Sequence, residues 1–594
     1  MKGADYIAEF LVQRGISDVF LLTGGAATFM VDALGRHPRI DYRCFQHEQA
    51  AAMAGDAVWR VSGKVGTVMA TSGPGATNLV TGICCNWFDS IPVLYITGQV
   101  NLKHAEIFQG TRVRQFGFQE TDIVELVKSV TKYARQVTTP EELKEALIEG
   151  YNAAISGRMG PALIDIPMDL QQREVGDEVL YYPPPRAKGA DTAAVATGIR
   201  QVNELFAASE RPIALFGAGC GLAGTATEVE AWLRRSEIPV VASWSGSCYL
   251  AQDFPGYMGC IGVYGNRGAN YALQNADSLM VLGSRLDTRQ RPGDPRQFAP
   301  EAKVHVIDVD EEELKKYAKD GYGTTRLDLA QVAGLLDGLD RPRPSADWRA
   351  YTAEMKQRFH GIDISQSARR HNSISPYKIV AELNRMADAD ATIVVDCGAT
   401  TCWFFQSFLR TTQTIFTNGG CAPISYALSA AIGAAIARPG KQTIVIIGDG
   451  GFQSNIQELQ TISQYGLDIK VIILNNYGYG IVKQFQDLYM DSRHDATGRG
   501  YGVPNFGKIV EGYGLGYLKV DRLEQFSEDV LRRPGAAVID VTLHPNTLIE
   551  PKLELGRPIN DQYPYVTDAE FAANNRFVAF ERPAWVSEKV EISD

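Results

Sequence analysis

Two short apolar runs in the last third of the chain constrain its fold most. Ile444-Val445-Ile446-Ile447 leads into Gly448-Asp449-Gly450-Gly451, and Val471-Ile472-Ile473-Leu474 leads into Asn475-Asn476. Both runs are continuous, rich in β-branched residues and short, so each reads as a strand covered on both faces, as in a parallel sheet. The polar residues then stand at the carboxyl ends of two strands, where open α/β sheets bind ligands. Asp449 offers a carboxylate oxygen and Asn476 an amide oxygen. A few hard oxygens suit Mg²⁺, which completes its octahedron with water and substrate phosphates. The glycines beside Asp449 let backbone approach a diphosphate closely. GDG alone is a common strand-end turn with a solvated Asp. An asparagine pair twenty-four residues later, after a second buried strand, shifts the reading toward metal and diphosphate.

The first third repeats the pattern of strands ending in glycine turns. Asp18-Val19-Phe20-Leu21-Leu22 precedes Thr23-Gly24-Gly25-Ala26, and Gly66-Thr67-Val68-Met69-Ala70 precedes Thr71-Ser72-Gly73-Pro74-Gly75-Ala76-Thr77-Asn78. Between them Glu48 opens an alanine-rich, closely packing helix. A buried glutamate holds its proton toward neutral pH and can give it to a ring nitrogen. By itself, Glu48 is more simply a solvated carboxylate favoured by the helix dipole.

The GGA loop, the glutamate before an alanine-rich helix, TSGPGATN, Phe118-Gln119-Glu120-Thr121-Asp122-Ile123 and GDG…NN come in one order. In that order they resemble the acetolactate synthase branch of thiamine diphosphate (ThDP) enzymes, over roughly residues 1 to 550. The resemblance implies that Glu48 meets pyrimidine N1′, so that the cofactor's own imino group can deprotonate thiazolium C2. It places Gly24, Gly25 and Gln119 at the reaction centre. Ser72, Asn78, Gly448, Gly450, Gly451, Tyr479, Gly480 and Ile481 are implied around ThDP, and Ile424 between its two rings. Asp449, Asn476 and the carbonyl of Gly478 are implied as Mg²⁺ ligands. The implied fold is α/β, with three doubly wound parallel-sheet domains and an irregular C-terminal tail. The implied assembly is a homodimer at minimum, with a homotetramer expected.

The middle of the chain carries Gly219, Gly221 and Gly224 in a GxGxxG spacing after the strand Pro212–Phe216. The next strand, Pro239-Val240-Val241-Ala242-Ser243, lacks the terminal acid of a dinucleotide site, so tight strand–helix packing is the reading. The acetolactate synthase resemblance implies a structural FAD held differently. Its matching segments are Gly268–Ala272, Gly283–Arg289 and Val306–Asp310, with Arg285 near the diphosphate and Asp308 near the ribityl or ribose hydroxyls. The family's second Asp in the arginine segment is Thr288 here.

The acceptor side departs from the family. Pyruvate decarboxylases carry paired histidines to protonate their intermediate; here Val100–Ala105 has only His104, read as a loop residue. Carboligation is therefore expected over aldehyde release. Arg289 matches the arginine that binds the second 2-keto acid as a bidentate fork. The family's PKD lysine, however, is Met168, a methionine is Val263 and a tryptophan is Phe485; Phe118 joins them as a substrate-side residue. These changes lead to an expected ketone or keto-sugar-nucleotide acceptor, with pyruvate as donor. The alternatives are a true acetolactate synthase, a ThDP-dependent C–C hydrolase of a cyclic diketone, and a non-catalytic ThDP-fold regulatory subunit.

Length and composition fit. A chain of 594 residues exceeds one core, and the Pro-rich stretches at 183–189 and 337–345 divide it. The expected units are 1–185 (pyrimidine-binding), 190–340 (central, with the FAD expectation), 346–550 (diphosphate- and Mg²⁺-binding) and a 551–594 tail over the surface or the active-site mouth. A net charge of −11 argues against nucleic acid as partner. No apolar run reaches membrane-spanning length, and the N-terminus is not a signal peptide. Nine cysteines without CxxC or zinc spacing read as reduced thiols, hence a cytoplasmic enzyme.

Overall fold

The computed structural model describes residues 1–105, 113–176, 178–179, 192–291, 293–359 and 366–582. The first Pro-rich break, 183–189, lies outside them. The described chain forms three six-stranded sheets, parallel throughout.

The first sheet comprises β1 (Asp18–Leu21), β2 (Asp41–Cys44), β3 (Gly66–Ala70), β4 (Val93–Gln99), β5 (Tyr133–Gln136) and β6 (Ala162–Pro167), in the order β2-β1-β3-β4-β6-β5. The second comprises β7 (Pro212–Phe216), β8 (Val240–Ala242), β9 (Tyr257–Cys260), β10 (Ser278–Leu282), β11 (Lys303–Asp308) and β12 (Gly323–Arg326), in the order β12-β11-β10-β7-β8-β9. The third comprises β13 (Thr392–Val395), β14 (Thr414–Phe416), β15 (Thr443–Gly448), β16 (Ile469–Asn475), β17 (Gly516–Val520) and β18 (Ala537–Thr542), in the order β14-β13-β15-β16-β18-β17. The two runs that opened the sequence argument are β15 and β16, paired from Thr443 with Ile469 to Gly448 with Leu474.

Each sheet reverses its strand order at an inner pair, between β1 and β3, between β7 and β10, and between β13 and β15, and the first and third sheets also exchange their last two strands. A crevice opens at the carboxyl ends of the strands at such a point. The sequence puts a glycine turn after a strand at each one: Gly24 and Ser72-Gly73, Gly217 and Gly283, Gly448-Asp449. A glycine turn thus follows a strand at the same topological point in all three sheets.

In the middle crevice the glycines serve packing. A Cβ on Gly219 would come 2.8 Å from Gly283, and one on Gly221 would enter the Tyr249 ring. This matches the packing reading of GxGxxG. Asn270 is likewise committed internally, exchanging hydrogen bonds with both backbone groups of Gly262 and donating to the Ile559 carbonyl.

Two placements differ from the sequence expectation. The Ala346–Phe359 helix, assigned to the third unit, buries Trp348, Tyr351 and Met355 against Tyr271 in the core of the middle unit. The tail, expected to be irregular, forms a small antiparallel pair, Lys552–Leu553 with Gln562–Tyr563, and a helix, Asp568–Asn574. It adds Leu553, Ile559 and Phe571 to that same core. Its prolines masked these apolar anchors. Among the described residues, no helix is long and apolar enough to cross a membrane.

Candidate functional site

The first crevice gathers the N-terminal motif residues. His47 caps the Glu48–Ser62 helix by accepting the Gln49 N–H, so Glu48 takes the first helical position and is 5% exposed. Its carboxylate accepts from the Asn78 amide at 2.9 Å. The other oxygen faces Gly75, where a Cβ would stand 3.2 Å away. Thr71 is the hub: its hydroxyl accepts the Ala26 N–H, and its methyl fills the space beside Gly24 and Gly75. Gly25 starts a 3-10 turn. Gln119, at φ 64°, sits with its backbone against Gly73. Glu120 fixes that turn by accepting the N–H groups of Phe116 and Gly117, leaving Phe118 85% exposed. Ser72 is buried. His104 ends an exposed 3-10 turn, as read.

The third crevice gathers the metal-type oxygens. Asp449 follows β15 and is 1% exposed; Tyr501 donates to its Oδ2 at 2.6 Å. Burial pushes the Asp449 carboxyl up to about 6, against the lowering effect of that bond. The outer amide atom of Asn476 stands 3.0 Å from the Gly478 carbonyl and 3.3 Å from Asp449 Oδ1. As a nitrogen it would donate to both. As an oxygen it completes three converging oxygens at separations close to the octahedral edge of a Mg²⁺ site, about 2.9 Å for ligands at about 2.05 Å. The residues therefore fit Mg²⁺. Among the described residues, no group of three His, Cys, Asp or Glu is placed to hold a metal. Gly450 lies beneath the Tyr479 ring, which packs 4.8 Å from Tyr501. Gly480 and Ile481 open the Gly480–Tyr489 helix, and Gly448 lies against the Thr400 hydroxyl.

Asp396, at the end of β13, ties this crevice to Ile424. It accepts the N–H groups of Ser425 and Ala427 and abuts Gly451. Burial raises its carboxyl to about 7. Ser425 takes φ 70°, and Ile424 is turned outward, 43% exposed. An ordinary core isoleucine would be covered.

The substrate-side residues divide. Val263 donates its N–H to the Arg289 carbonyl at 2.8 Å, and Arg289 Nη1 donates to the Tyr264 hydroxyl at 3.3 Å. Phe485, 38% exposed, lies 4.6 Å from the Tyr489 ring and beside Lys552. Met168 is elsewhere. It opens the Met168–Gln172 helix, whose Gln171 amide donates to the Ala26 carbonyl, so Met168 belongs with the first crevice. Within one chain, Val263 and Phe485 lie on the side of Arg289 and Lys552, and Met168 stands by the GGA loop. Arg285 and Asp308 end up beside the middle crevice, at the ends of β10 and β11. The Arg285 guanidinium is partly exposed, 4.0 Å from Asp287, and burial raises Asp308.

Sequence reasoning missed Thr71 as a hub, Asp396, Tyr501, Tyr264 and Lys552. Tyr501 carried a signal, an aromatic set between Gly500 and Gly502. The others act through tertiary neighbours that no local pattern marks.

Comparison with known proteins adds the following. Residues 1–126 match the family model described as thiamine pyrophosphate enzyme, N-terminal TPP binding domain; 199–325 match its central domain and 396–541 its C-terminal TPP binding domain. The chain is 31% identical over 556 residues to the acetolactate synthase isozyme 2 large subunit of Escherichia coli, covering 91% of this chain and 96% of that one. It is 33% identical over 561 residues to an acetolactate synthase of Arthrospira platensis, covering 91% and 94%. It is 31% identical over 566 residues to the acetolactate synthase large subunit of Lactococcus lactis, covering 93% and 95%.

Proposed function

The chain belongs to the thiamine pyrophosphate enzymes, in their acetolactate synthase-like branch, and we propose that it decarboxylates pyruvate and joins the acetyl unit to the carbonyl of a second 2-keto acid. The observation that carries this reading is the meeting of Asp449 Oδ1, the Asn476 amide and the Gly478 carbonyl at the carboxyl ends of β15 and β16, in a chain whose relatives are named acetolactate synthases. The expected ketone or keto-sugar acceptor gives way here. It rested on three substitutions along one channel, and the relatives' names favour the acetolactate synthase alternative.

ThDP, when bound, supplies a carbon nucleophile and an electron sink for loss of CO₂. The chain does the rest. Asp449, Asn476 and the Gly478 carbonyl would hold Mg²⁺, which would supply positive charge for a diphosphate. Glu48, sheltered from water and oriented by Asn78, holds a proton at pyrimidine N1′. Ile424 sets the angle between the cofactor rings, braced by Asp396. Arg289 binds the carboxylate of the acceptor.

The site is composite between chains. In one chain the Glu48–Ser62 helix packs on the Tyr426–Ala437 helix, with Gly433 against Ala54 and the Tyr426 hydroxyl on Asp56. Arg60 lies over Phe416, and Asp89 holds Gly420. Tyr426, close to Ile424 in sequence, therefore meets the Glu48 helix at Asp56, about 12 Å along it. That separation supports a site to which a partner copy supplies one of the two residues. A homodimer is the minimum and a homotetramer the expected assembly. A structural FAD remains part of this proposal, with Arg285 toward its diphosphate and Asp308 toward a hydroxyl; a purified protein that neither carries nor takes up flavin by visible absorbance would remove it. Nine free cysteines support a cytoplasmic location.

Calorimetry tests the core of the reading. Wild-type protein should bind ThDP only with Mg²⁺ present, and Asp449→Ala should lose at least tenfold in ThDP affinity, about 1.4 kcal/mol. Equal affinity in the two proteins would refute the metal assignment.

A further inference from the structure

Lys552 is a buried cation that the reaction scheme above does not use. It lies on the tail strand Lys552–Leu553 and is 4% exposed. Among the described residues its Nζ has no hydrogen-bond partner. Burial pulls its ammonium down to about 8; Cys402, Glu554 and Asp487 act against that, and Arg289 acts with it. None of these groups hydrogen-bonds to it.

The backbone around this ammonium is firmly tied. The Ile549 N–H donates to Gln484, the Pro551 carbonyl accepts from Gln406, the Leu553 N–H donates to the Val263 carbonyl and the Leu555 N–H donates to the Tyr489 hydroxyl. Val263 is also the residue whose N–H meets the Arg289 carbonyl. The Lys552 ammonium stands 6.0 Å from the centre of the Phe485 ring. One wall therefore carries Arg289, Tyr264, Val263, Phe485 and an unpaired ammonium. A chain that buries a charge without a partner gains when an anion arrives to pair with it.

We propose that Lys552 and Arg289 form a two-cation subsite for the carboxylate of the acceptor 2-keto acid, with the tail supplying the second cation. It rests on the carboligation reading above and adds a specificity-determining residue to it. It also answers the loss of a lysine at Met168: the charge is delivered from another element.

The test uses the holoenzyme with labelled pyruvate as donor, and pyruvate and methyl pyruvate competing as acceptors. Lys552→Gln, and Lys552→Met as a second uncharged variant, should lower the preference for pyruvate over its ester roughly tenfold to a hundredfold. Lys552→Arg should keep the preference within a few-fold. Removing an unpaired buried charge should leave the melting temperature equal or higher, which separates this role from a structural one. An unchanged preference in both uncharged variants overturns the proposal. Calorimetry with oxamate, an unreactive pyruvate isostere, keeps the two readings apart. Should wild type join no two pyruvate units, the reaction reading fails. Weaker oxamate binding in Lys552→Gln would still uphold the anion subsite, and equal binding would overturn it.

Discussion

If the cofactor lies between two chains, two inactive variants should rescue each other. Glu48→Gln removes the proton carrier of one crevice, and Asp449→Ala removes the metal carboxylate of the other. Each homodimer has two damaged sites. A mixed dimer has one site with both lesions and one with neither, because a two-fold axis pairs the first crevice of one chain with the third crevice of its partner. Random association of equal amounts makes about half the dimers mixed, each with one intact site of two. Activity should therefore return to about 25% of wild type in the random mixture and to about 50% in the purified mixed species. The background is low, since losing general acid–base help lowers the rate on the order of 10²–10⁴-fold. The geometric basis is the packing of Asp56 on Tyr426 and of Asp89 on Gly420, which holds Ile424 and its crevice far from Glu48 in the same chain. The assay is co-expression with two affinity tags, sequential purification of the mixed species and measurement of pyruvate consumption. A doubly tagged species no more active than its parents would refute the composite site.

Other perturbations read single residues. Glu48→Gln, still able to accept from Asn78, should bind ThDP yet slow C2–H/D exchange of the bound cofactor by roughly 10²–10⁴-fold; wild-type exchange would remove Glu48 from this role. Ile424→Ala should cut turnover about tenfold or more by loosening the reactive geometry, with little change in melting temperature because Ile424 is 43% exposed; full turnover would make it a bystander. Burial lowers buried His305 to about 4. The unfolded chain thus takes up its proton near 6.5 while the native chain resists, so stability is full above 6.5 and falls by up to about 3 kcal/mol as pH drops toward 4. Melting curves at pH 7 and pH 5 should separate wild type from His305→Gln, which lacks this slope; parallel slopes would contradict it.

Much of the architecture was legible because the strongest signals are local. β15 and β16 announced themselves as uninterrupted β-branched runs, and their polar ends marked the crevice. Glu48 before a run of alanines indicated a closely packed helix, and the helix is buried against Gly433. The wall proposed for the acceptor was legible only in part: the resemblance pointed to Val263, Arg289 and Phe485, but not to Tyr264 or Lys552. Its members come from segments far apart in the chain, 263–264, 289, 485 and 552, joined by tertiary hydrogen bonds and by the contact of Lys552 with the Phe485 ring. The missing lysine at Met168 was visible in the sequence. The ammonium at Lys552 was not, because Pro551, Pro558 and Pro564 made the tail read as loose surface chain while Leu553, Ile559 and Phe571 anchor it in a core. An argument from absence of charge therefore pointed toward a neutral acceptor. Asp396 escaped notice for a similar reason: its partners, Ser425 and Ala427, lie about thirty residues on.

The most direct measurement is the product formed by purified protein with ThDP, Mg²⁺ and carbon-13 pyruvate, alone and with excess butanone, followed by NMR and mass spectrometry. The account predicts acetolactate as the main product in both mixtures, with its formation abolished when Mg²⁺ is chelated. A tertiary alcohol from butanone as the main product, or pyruvate left intact with the cofactor bound, would contradict it.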